Sequence, residues 1–424
     1  MFNYTMLDNF EVTQIQHGYS NKSFHSGCLK IENKEFNYIY DCGLCKREIL
    51  NYLKKKETKL DILFISHFHK DHINAILDFE NHSNLKDTVV VMPYQTEKDK
   101  LLFGAIGGLD TNNADEYNDK YINFLRNPHH IWIRENDFEY THNPNNKFNV
   151  NYAHNYDIGV NYKNSDFHLN DNPNHKDHPL FTFQYNGTGL NWWLLAYSAH
   201  TENLDLLWEK IYEDNPDLKN LNTNYLESQN FESAKKYILE IRKSLQNLRA
   251  NNIVGDASFA NLMSLSLYSG PIITSEITYD SNIVNEIFKF LKLPYLIYIN
   301  GFQIYKYLYF RNEHVGWLHT GDFNLKDPNL YEDFISYYKE VMNMVGMFSL
   351  PHHGSENNFN KELLKLSNEH FIIIKSSRVR LDKFLEEQIK TPSKRFLIAQ
   401  NGNNINLKVI SNNLSFIGRI EQSK

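Results

Sequence analysis

The pattern of hydrophobic and polar positions predicts a chain that mixes strands with helices. Apolar or alternating runs typical of strands occupy 10–15, 36–40, 60–66, 192–197, 262–268, 316–320, 347–350 and 371–375. Helical spacing of apolar residues occurs at 46–56, 73–79, 232–248, 282–291, 331–342 and 360–366. Residues 395–410 predict a terminal hairpin that turns at Asn401-Gly402.

The region from about 101 to 180 has a different character. It opens with three closely spaced glycines, Gly104, Gly107 and Gly108, and continues through a stretch rich in Asn and His. These residue types favour turns and long loops. We interpret the region as an insertion on a smaller core.

Length, composition and charge limit the number of domains and the kinds of ligand that the chain can have. The 424 residues allow one enlarged domain, or two or three domains of roughly 150 residues each. Aromatic residues make up 14% of the chain, which disfavours intrinsic disorder. The net charge of -7 restricts nucleic acid to a local basic patch.

The same data indicate a cellular compartment. Three cysteines, Cys28, Cys42 and Cys45, are too few for a disulfide framework and suit a reducing cytoplasm. The N-terminus lacks the basic and apolar segments of a secretory signal. No stretch approaches the roughly 20 consecutive apolar residues of a membrane helix. We therefore expect a cytoplasmic protein without a membrane segment.

The strongest chemical signal is Ser66-His67-Phe68-His69-Lys70-Asp71-His72, which follows an apolar strand. Imidazole and carboxylate groups are ligands of Zn²⁺, Mn²⁺ and iron. His67 and His69 project to the same side of an extended segment, because side chains repeat every second residue. Asp71 and His72, in the following turn, can reach a second metal ion. The cluster therefore predicts a metal centre.

His-x-His-x-Asp-His after an apolar strand resembles the signature of the metallo-β-lactamase fold hydrolases. Three further segments resemble other elements of that family in the same order: Asn37-Tyr-Ile-Tyr-Asp41-Cys-Gly, Leu318-His-Thr-Gly-Asp322, and Leu350-Pro-His352-His353-Gly-Ser. Within the family, the chain looks most like the nuclease-like domain of bacterial competence DNA-uptake channel proteins. The resemblance covers roughly residues 1–80, 185–270 and 315–410. It does not extend to DNA transport, because the membrane segments of those proteins are missing here.

The resemblance implies an αββα four-layer sandwich, formed as a single domain over 1–424 with insertions at about 95–180, 203–250 and 270–312. It also implies two divalent metal ions, Zn²⁺ or Mn²⁺ with iron as a third possibility. The implied ligands are His67, His69 and His200 at one ion and Asp71, His72 and His353 at the other, with Asp322 bridging. Asp41 is expected to orient a metal-binding histidine, and Asp71 or His352 to manage a proton.

Several assignments stay open at this point. His353 is favoured over His352 as the late ligand, because the histidine of the family usually stands directly before a Gly. His352 is then expected to lie near the metal ions, where it supports a ligand or contacts the substrate. His200 competes for the middle position with six histidines of the insertion: His129, His130, His154, His168, His175 and His178. We interpret Cys42 and Cys45 as packing beside the site, and Ser355 as a capping residue rather than a nucleophile.

The implied activity is that of a metal-dependent hydrolase, most simply a phosphodiesterase or nuclease using hydroxide generated at a dimetal site. A stand-alone protein of this kind could be an effector of a bacterial defence system. The alternative is a hydrolase of carboxylic esters, lactones, thioesters or cyclic nucleotides. The third interpretation is a module that binds protein partners through its insertions.

Basic residues at 378–395 are the better candidates for phosphate contacts. Those at 235–249 suit a solvated helix face.

Overall fold

The fold is given by a computed structural model of the chain. It describes residues 10–18, 23–31, 34–42, 45–56, 59–68, 72, 77, 88–109, 113–125, 130–133, 167–169, 181–184, 190–200, 202–220, 231–254, 263–273, 308–310, 315–339, 341–355, 358–365, 372–375, 395–399, 404–412 and 415–423. The predicted helices at 73–79 and 282–291 lie largely or wholly outside these residues.

Two mixed sheets dominate the described chain, with six α-helices around them. The first sheet has the order β11-β17-β16-β1-β2-β3-β4-β5-β6. Its strands are β1 (Phe10–Gly18), β2 (Ser23–Ile31), β3 (Lys34–Tyr40), β4 (Ile62–Phe64), β5 (Val89–Pro93), β6 (His130–Ile133), β11 (Leu308–Phe310), β16 (Asn404–Asn412) and β17 (Ser415–Ser423). Strands β3 to β6 run parallel to one another, and the other pairs are antiparallel.

The second sheet has the order β15-β14-β13-β12-β10-β9-β8-β7. Its strands are β7 (Phe167–Leu169), β8 (Phe181–Gln184), β9 (Leu190–His200), β10 (Met263–Ile273), β12 (Gly316–His319), β13 (Val345–Ser349), β14 (Ile372–Lys375) and β15 (Arg395–Ile398). Strands β12 to β15 are parallel. Each sheet therefore contains a parallel half whose strands end at one edge.

The helices are α1 (Lys46–Lys56), α2 (Glu97–Leu109), α3 (Ala114–Leu125), α4 (Glu202–Asp214), α5 (Phe231–Ala250) and α6 (Pro328–Tyr338). Their apolar side chains form two buried clusters. One joins α1 to α5 with β3, β4 and β5 of the first sheet, and the other joins α6 with β9, β12 and β13 of the second. A third cluster contains side chains from both sheets, including Tyr38, Phe64, Trp192 and Leu265. The mixed α/β class predicted from the sequence is confirmed.

The prediction of loops across 101–125 is wrong, because this segment forms most of α2 and α3. The three glycines lie inside α2, and their missing side chains let neighbouring elements approach. A Cβ on Gly107 would lie 1.9 Å from the Tyr117 hydroxyl, and one on Gly108 would lie 2.0 Å from the Arg242 guanidinium. Glycine here serves close helix packing, which local turn statistics do not distinguish from a loop.

The basic helix at 232–248 is confirmed as α5, but one of its cations is not solvated. Arg242 is buried, donates to the carbonyl of Ala105 and pairs with the side chain of Asn118. Lys243 is exposed and pairs with Glu240, and Lys235 is half-buried and pairs with Asp119.

The terminal hairpin predicted at 395–410 is also wrong. Strand β15 pairs in parallel with β14 in the second sheet, whereas β16 pairs with β1 and β17 in the first. The chain therefore changes sheets between these strands. An Asn-Gly turn signal carries no information on which sheet receives the next strand.

A pair of histidines, His25 on β2 and His319 on β12, is buried between the sheets, with ring centroids 4.1 Å apart. Burial lowers the pKa of His319 to about 3. Burial, with smaller contributions from His319 and His17, also holds the pKa of His25 well below its ordinary value. Both imidazoles are therefore neutral in the folded protein at neutral pH.

We predict that these histidines make the fold sensitive to acid. Between about pH 6.5 and 3 these histidines are protonated in the unfolded chain but neutral in the folded chain. The free energy of unfolding therefore decreases as the pH is lowered, by about 1.4 kcal/mol per pH unit for each fully titrating histidine. Denaturant unfolding in chelator should show this slope. His319→Leu should reduce it, whereas Tyr268→Phe, a buried change in a neighbouring strand, should keep it. An unchanged slope in His319→Leu contradicts the assignment.

Candidate metal centre

The site lies where parallel strands of both sheets end. Strand β4 leads into Ser66 and His67, and β3 leads into Asp41. In the second sheet β12 leads into Asp322. The main chains meet directly, because the N–H of Leu265 on β10 donates to the carbonyl of Ser66 at 2.6 Å. Residues distant in sequence therefore share one edge.

His67, His72 and Asp322 form a buried group at this edge. One potential ligand atom from each lies within 4.8 Å of the others. His67 Nε2 is 3.3 Å from Asp322 Oδ2, and the rings of His67 and His72 have centroids 3.8 Å apart. Two imidazoles and a carboxylate are costly to bury unless they are paired or bind a cation.

Asp41 fixes the orientation of His72. One carboxylate oxygen of Asp41 lies 3.2 Å from His72 Nδ1, and the other accepts from the main-chain N–H of Ser66 at 2.7 Å. A carboxylate can only accept, so this contact favours a proton on Nδ1 of His72. The contact is of the kind expected for a carboxylate that orients a ligand, and the role of Asp41 stays a prediction.

Neighbouring residues hold the loop that carries Asp322. The main-chain N–H of Asp322 donates to the Ser264 hydroxyl at 3.0 Å. The Asn358 side chain donates to the carbonyls of Asp322 and Phe323 at 3.2 and 3.4 Å. The carboxylate of Asp322 is thus presented from a loop whose main chain is anchored on two sides.

Left-handed backbone is concentrated at the site. Among the described residues, the non-glycine residues with positive φ are Asp41 (54°), Asn252 (56°) and His352 (43°), and two of the three belong to this edge. Gly321, with φ 54°, directly precedes Asp322, and Gly354 with φ 86° follows the late histidines. Such conformations are costly for side-chain-bearing residues and cluster at functional sites.

Cys42 and Cys45 are both buried and not joined in a disulfide. The Cys42 thiol donates to the carbonyl of His72 at 3.1 Å. The interpretation of this pair as packing beside the site agrees with these contacts.

The other residues predicted from the sequence have different positions. His69 and Asp71 lie outside the described residues. His200 ends β9, where its register partner is Met263, the neighbour of Ser264. His353 belongs to the short helix Pro351–Gly354, and His352, half-buried, donates its main-chain N–H to the carbonyl of Gly321 at 2.9 Å. The side chains of His200 and His353 are outside the described part.

Most of the six histidines that compete with His200, and most of the basic segment 378–395, lie outside the described residues. His130 and His168 stand in β6 and β7, each at the outer edge of a sheet. His129, His154, His175 and His178 lie outside the described residues, as does most of the basic segment 378–395. These alternatives remain predictions.

Sequence reasoning missed the polar groups that support the cluster. The Ser66 hydroxyl lies 2.8 Å from His67 Nδ1 and 3.4 Å from His72 Nδ1, yet Ser66 entered the prediction only as the start of the motif. Asn358 was not singled out. Ser264 ends the segment Asn261-Leu-Met-Ser264, which resembles an Asn-x-x-Ser element that precedes Thr-Gly-Asp in that family, and this resemblance is the one sequence signal for it.

The donor set suits a divalent cation. Buried imidazole nitrogens with a carboxylate oxygen are ligands of Zn²⁺, Mn²⁺ and iron. His67, His72 and Asp322 would contribute ligands to such a centre.

Comparison with known families agrees with this geometry. Residues 28–159 match the family model of the metallo-beta-lactamase superfamily, whose members are metal-dependent hydrolases. The match includes Asp41, His67, His69, Asp71 and His72, whereas Asp322 and the late histidines lie beyond it. No curated protein gives a significant match to the chain.

Among the described residues, no helix has the length and apolar character needed to cross a membrane.

We predict that Asp322→Asn abolishes tight metal binding. Loss of a group that only orients a ligand typically costs about 10–100-fold in affinity, so loss of a carboxylate ligand should cost more than about 100-fold. Calorimetric Zn²⁺ titration of chelator-treated protein measures this. Asp327→Asn is the matched control: it removes the same charge five residues later, and Asn replaces Asp well as the cap of α6. Equal affinity in both variants contradicts the role of Asp322.

Gly321→Ala should destabilise the fold and weaken metal binding together. Its φ of 54° disfavours alanine by about 1–2 kcal/mol. The added Cβ would also lie 2.7 Å from Ser264 Oγ and 2.9 Å from Leu265 O and Ser66 Cβ, which displaces the groups beneath the cluster. Gly316→Ala is crowded too, against Tyr268 and Met344, but away from the cluster. Gly316→Ala should therefore lower the unfolding temperature without changing Zn²⁺ affinity. If both variants lose Zn²⁺ affinity equally, the effect of Gly321→Ala comes from general destabilisation and not from displacement of the groups beneath the cluster.

Proposed function

We propose that the protein is a metal-dependent hydrolase that cleaves phosphodiester bonds at the His67–His72–Asp322 cluster. The single observation that carries this proposal is the burial of two imidazoles and a carboxylate together at the ends of parallel strands. The superfamily match at 28–159 supports the hydrolase class.

We propose that the complete centre has two metal ions. Asp322 would bridge them, with His67, His69 and His200 at one ion and Asp71, His72 and His353 at the other. The contact of His67 with Asp322 supports Asp322 as a ligand beside His67, and the division of the other ligands between two ions follows from the family resemblance. Zn²⁺ and Mn²⁺ suit the nitrogen and oxygen donors, and iron is a third possibility. The proposed frame is an αββα four-layer sandwich, which the separate helix clusters on the two sheets support.

When bound, such a pair of ions lowers the pKa of water and polarises the oxygen under attack. The chain's own residues supply orientation and proton handling. Asp41 lies against Nδ1 of His72 and would orient its ring, and Ser264 and Asn358 hold the Asp322 loop. The main-chain N–H of His352 donates to the carbonyl of Gly321, next to Asp322, and this anchors His352 beside the cluster, where we propose that its imidazole binds the substrate or moves a proton. Asp71 is the alternative proton carrier.

The substrate class is inferred from the sequence. The segment 351–355 and the Thr320-Gly321-Asp322 element resemble the nuclease-like domains of DNA-uptake proteins. An imidazole beside a metal centre also suits a phosphate oxygen, because a protonated or neutral ring can donate a hydrogen bond to it. The carboxylic-ester and lactone alternatives use the same centre, so assays must separate them.

The substrate class can be tested with metal-loaded protein against plasmid, single-stranded DNA, RNA and bis-p-nitrophenyl phosphate, beside ester and lactone substrates. We expect phosphodiester cleavage that is lost in Asp322→Asn and kept in Asp327→Asn. Turnover of esters or lactones alone overturns the phosphodiester assignment. Absence of any turnover with metal bound favours a module that binds partners.

His352→Ala should lower kcat by about 10²–10⁴-fold if this residue carries the proton, while metal content stays at the wild-type level. The pH profile of kcat separates this role from substrate binding alone, because loss of one ionisation flattens one limb. If His352→Ala keeps the wild-type kcat, another residue carries the proton.

A further inference from the structure

Asp322 stands in a tight turn that follows β12. The main-chain N–H of Phe323 donates to the carbonyl of Thr320 at 3.3 Å and closes this turn, and Gly321 supplies its left-handed residue. Thr320, Asp322 and Phe323 are all buried. Main-chain polar groups in such a place need hydrogen-bond partners from other parts of the fold. The partners of this turn therefore show what holds the Asp322 carboxylate in position.

Two of these partners belong to the part of the chain that carries the late histidines. The main-chain N–H of His352 donates to the carbonyl of Gly321 at 2.9 Å. The side chain of Asn358 donates to the carbonyls of Asp322 and of the next residue, at 3.2 and 3.4 Å. The late histidine segment, residues 351–355 with Asn358, is therefore bonded to the turn both before and after Asp322.

The chemistry of Asn358 suits this position. Carbonyl oxygens can only accept, so a side chain that faces two of them must supply donors, and the amide nitrogen has two N–H groups. Asn358 is buried, so water does not replace these bonds. Its own main-chain N–H donates to the carbonyl of Ser355 at 3.1 Å, directly after the histidine pair. One residue thus connects the turn of the bridging carboxylate with the segment of the late histidines.

We propose that Asn358 is a positioning residue that joins the late histidine segment to the Asp322 turn, so that both present their ligands to the metal centre as one preformed unit. The inference rests on the proposed metal site but not on its substrate. Asn358 is assigned no contact with metal or substrate, because it acts through the main chain of Asp322. The left-handed backbone of His352, with φ 43°, agrees with this, since such a conformation persists only where the surroundings hold it.

Asn360, two residues later, offers a matched control. Its side chain accepts from the main-chain N–H of Glu362 at 2.9 Å and caps the short helix Lys361–Leu364. A carboxylate also accepts, so Asp replaces Asn well at this cap. At Asn358 the same replacement sets an acceptor against two carbonyl oxygens, and both hydrogen bonds are lost. Asn358→Asp and Asn360→Asp therefore make the same chemical change with opposite effects on hydrogen bonding.

The test compares the Zn²⁺ affinity of chelator-treated, full-length protein by calorimetric titration. We expect Asn358→Asp to weaken Zn²⁺ binding by about 10–100-fold, the usual effect of removing a group that orients a ligand. The added negative charge would by itself favour a cation, so a loss of affinity reports lost positioning. Asn360→Asp should bind Zn²⁺ within about twofold of wild type. Equal affinity in wild type and Asn358→Asp overturns the proposal.

Asn358→Ala keeps the proposal testable if Asn358→Asp does not fold. It removes the two donors without burying a charge, and it should weaken Zn²⁺ binding by about 10-fold. Asn360→Ala also loses a hydrogen bond and should unfold at a lower temperature, yet it should keep the wild-type Zn²⁺ affinity. If the two alanine variants bind Zn²⁺ equally, Asn358 has no role at the metal centre.

Co²⁺ in place of Zn²⁺ gives a readout that a change in overall stability does not move, because its visible absorption depends on the number and arrangement of its ligands. At saturating Co²⁺, Asn360→Ala should keep the wild-type spectrum, whereas Asn358→Ala should change it. Identical spectra in all three proteins contradict the positioning role, and a wild type that binds neither metal overturns the proposal together with the metal site. Failure of every hydrolysis assay, with the expected binding results intact, removes the proposed function alone.

Discussion

The site depends on the joining of the two sheets at Ser66. Its carbonyl accepts from Leu265 of the second sheet, its N–H donates to Asp41, and its hydroxyl lies against His67. One fully buried residue thus ties together the ends of β3, β4 and β10. Displacement of this junction would separate His67 from Asp322, because they come from different sheets.

Burial explains why so many supporting groups are needed. His67, His72 and Asp322 are almost fully removed from water, where unpaired polar groups are costly. Asp41 and Ser66 give the imidazole Nδ1 atoms partners, and Ser264 and Asn358 hold the Asp322 loop. The strained backbone at Asp41 and His352 is held by the same surroundings. Metal affinity and local stability are therefore coupled at this edge.

The helical layer on the first sheet shows how tertiary packing can override local signals. Glycines that favour turns in isolation are part of α2, because the space beside them is filled by Tyr117, Tyr121 and Arg242. Arg242, expected on a solvated face, is instead buried against Ala105 and Asn118. In both cases the partner lies in another helix, which local periodicity cannot reveal.

The sequence by itself determined the mixed α/β class, most strand positions around the site, and the residue types that can bind metal. These properties are local: strand periodicity and the spacing of His67, His69, Asp71 and His72 can be read within a few residues. The tertiary structure alone decided that Asp322 meets His67, that β15 and β16 belong to different sheets, and that Ser66 is hydrogen-bonded to Leu265 of the second sheet. Each depends on contacts between distant segments, whose direction and distance follow from the packing of the two sheets.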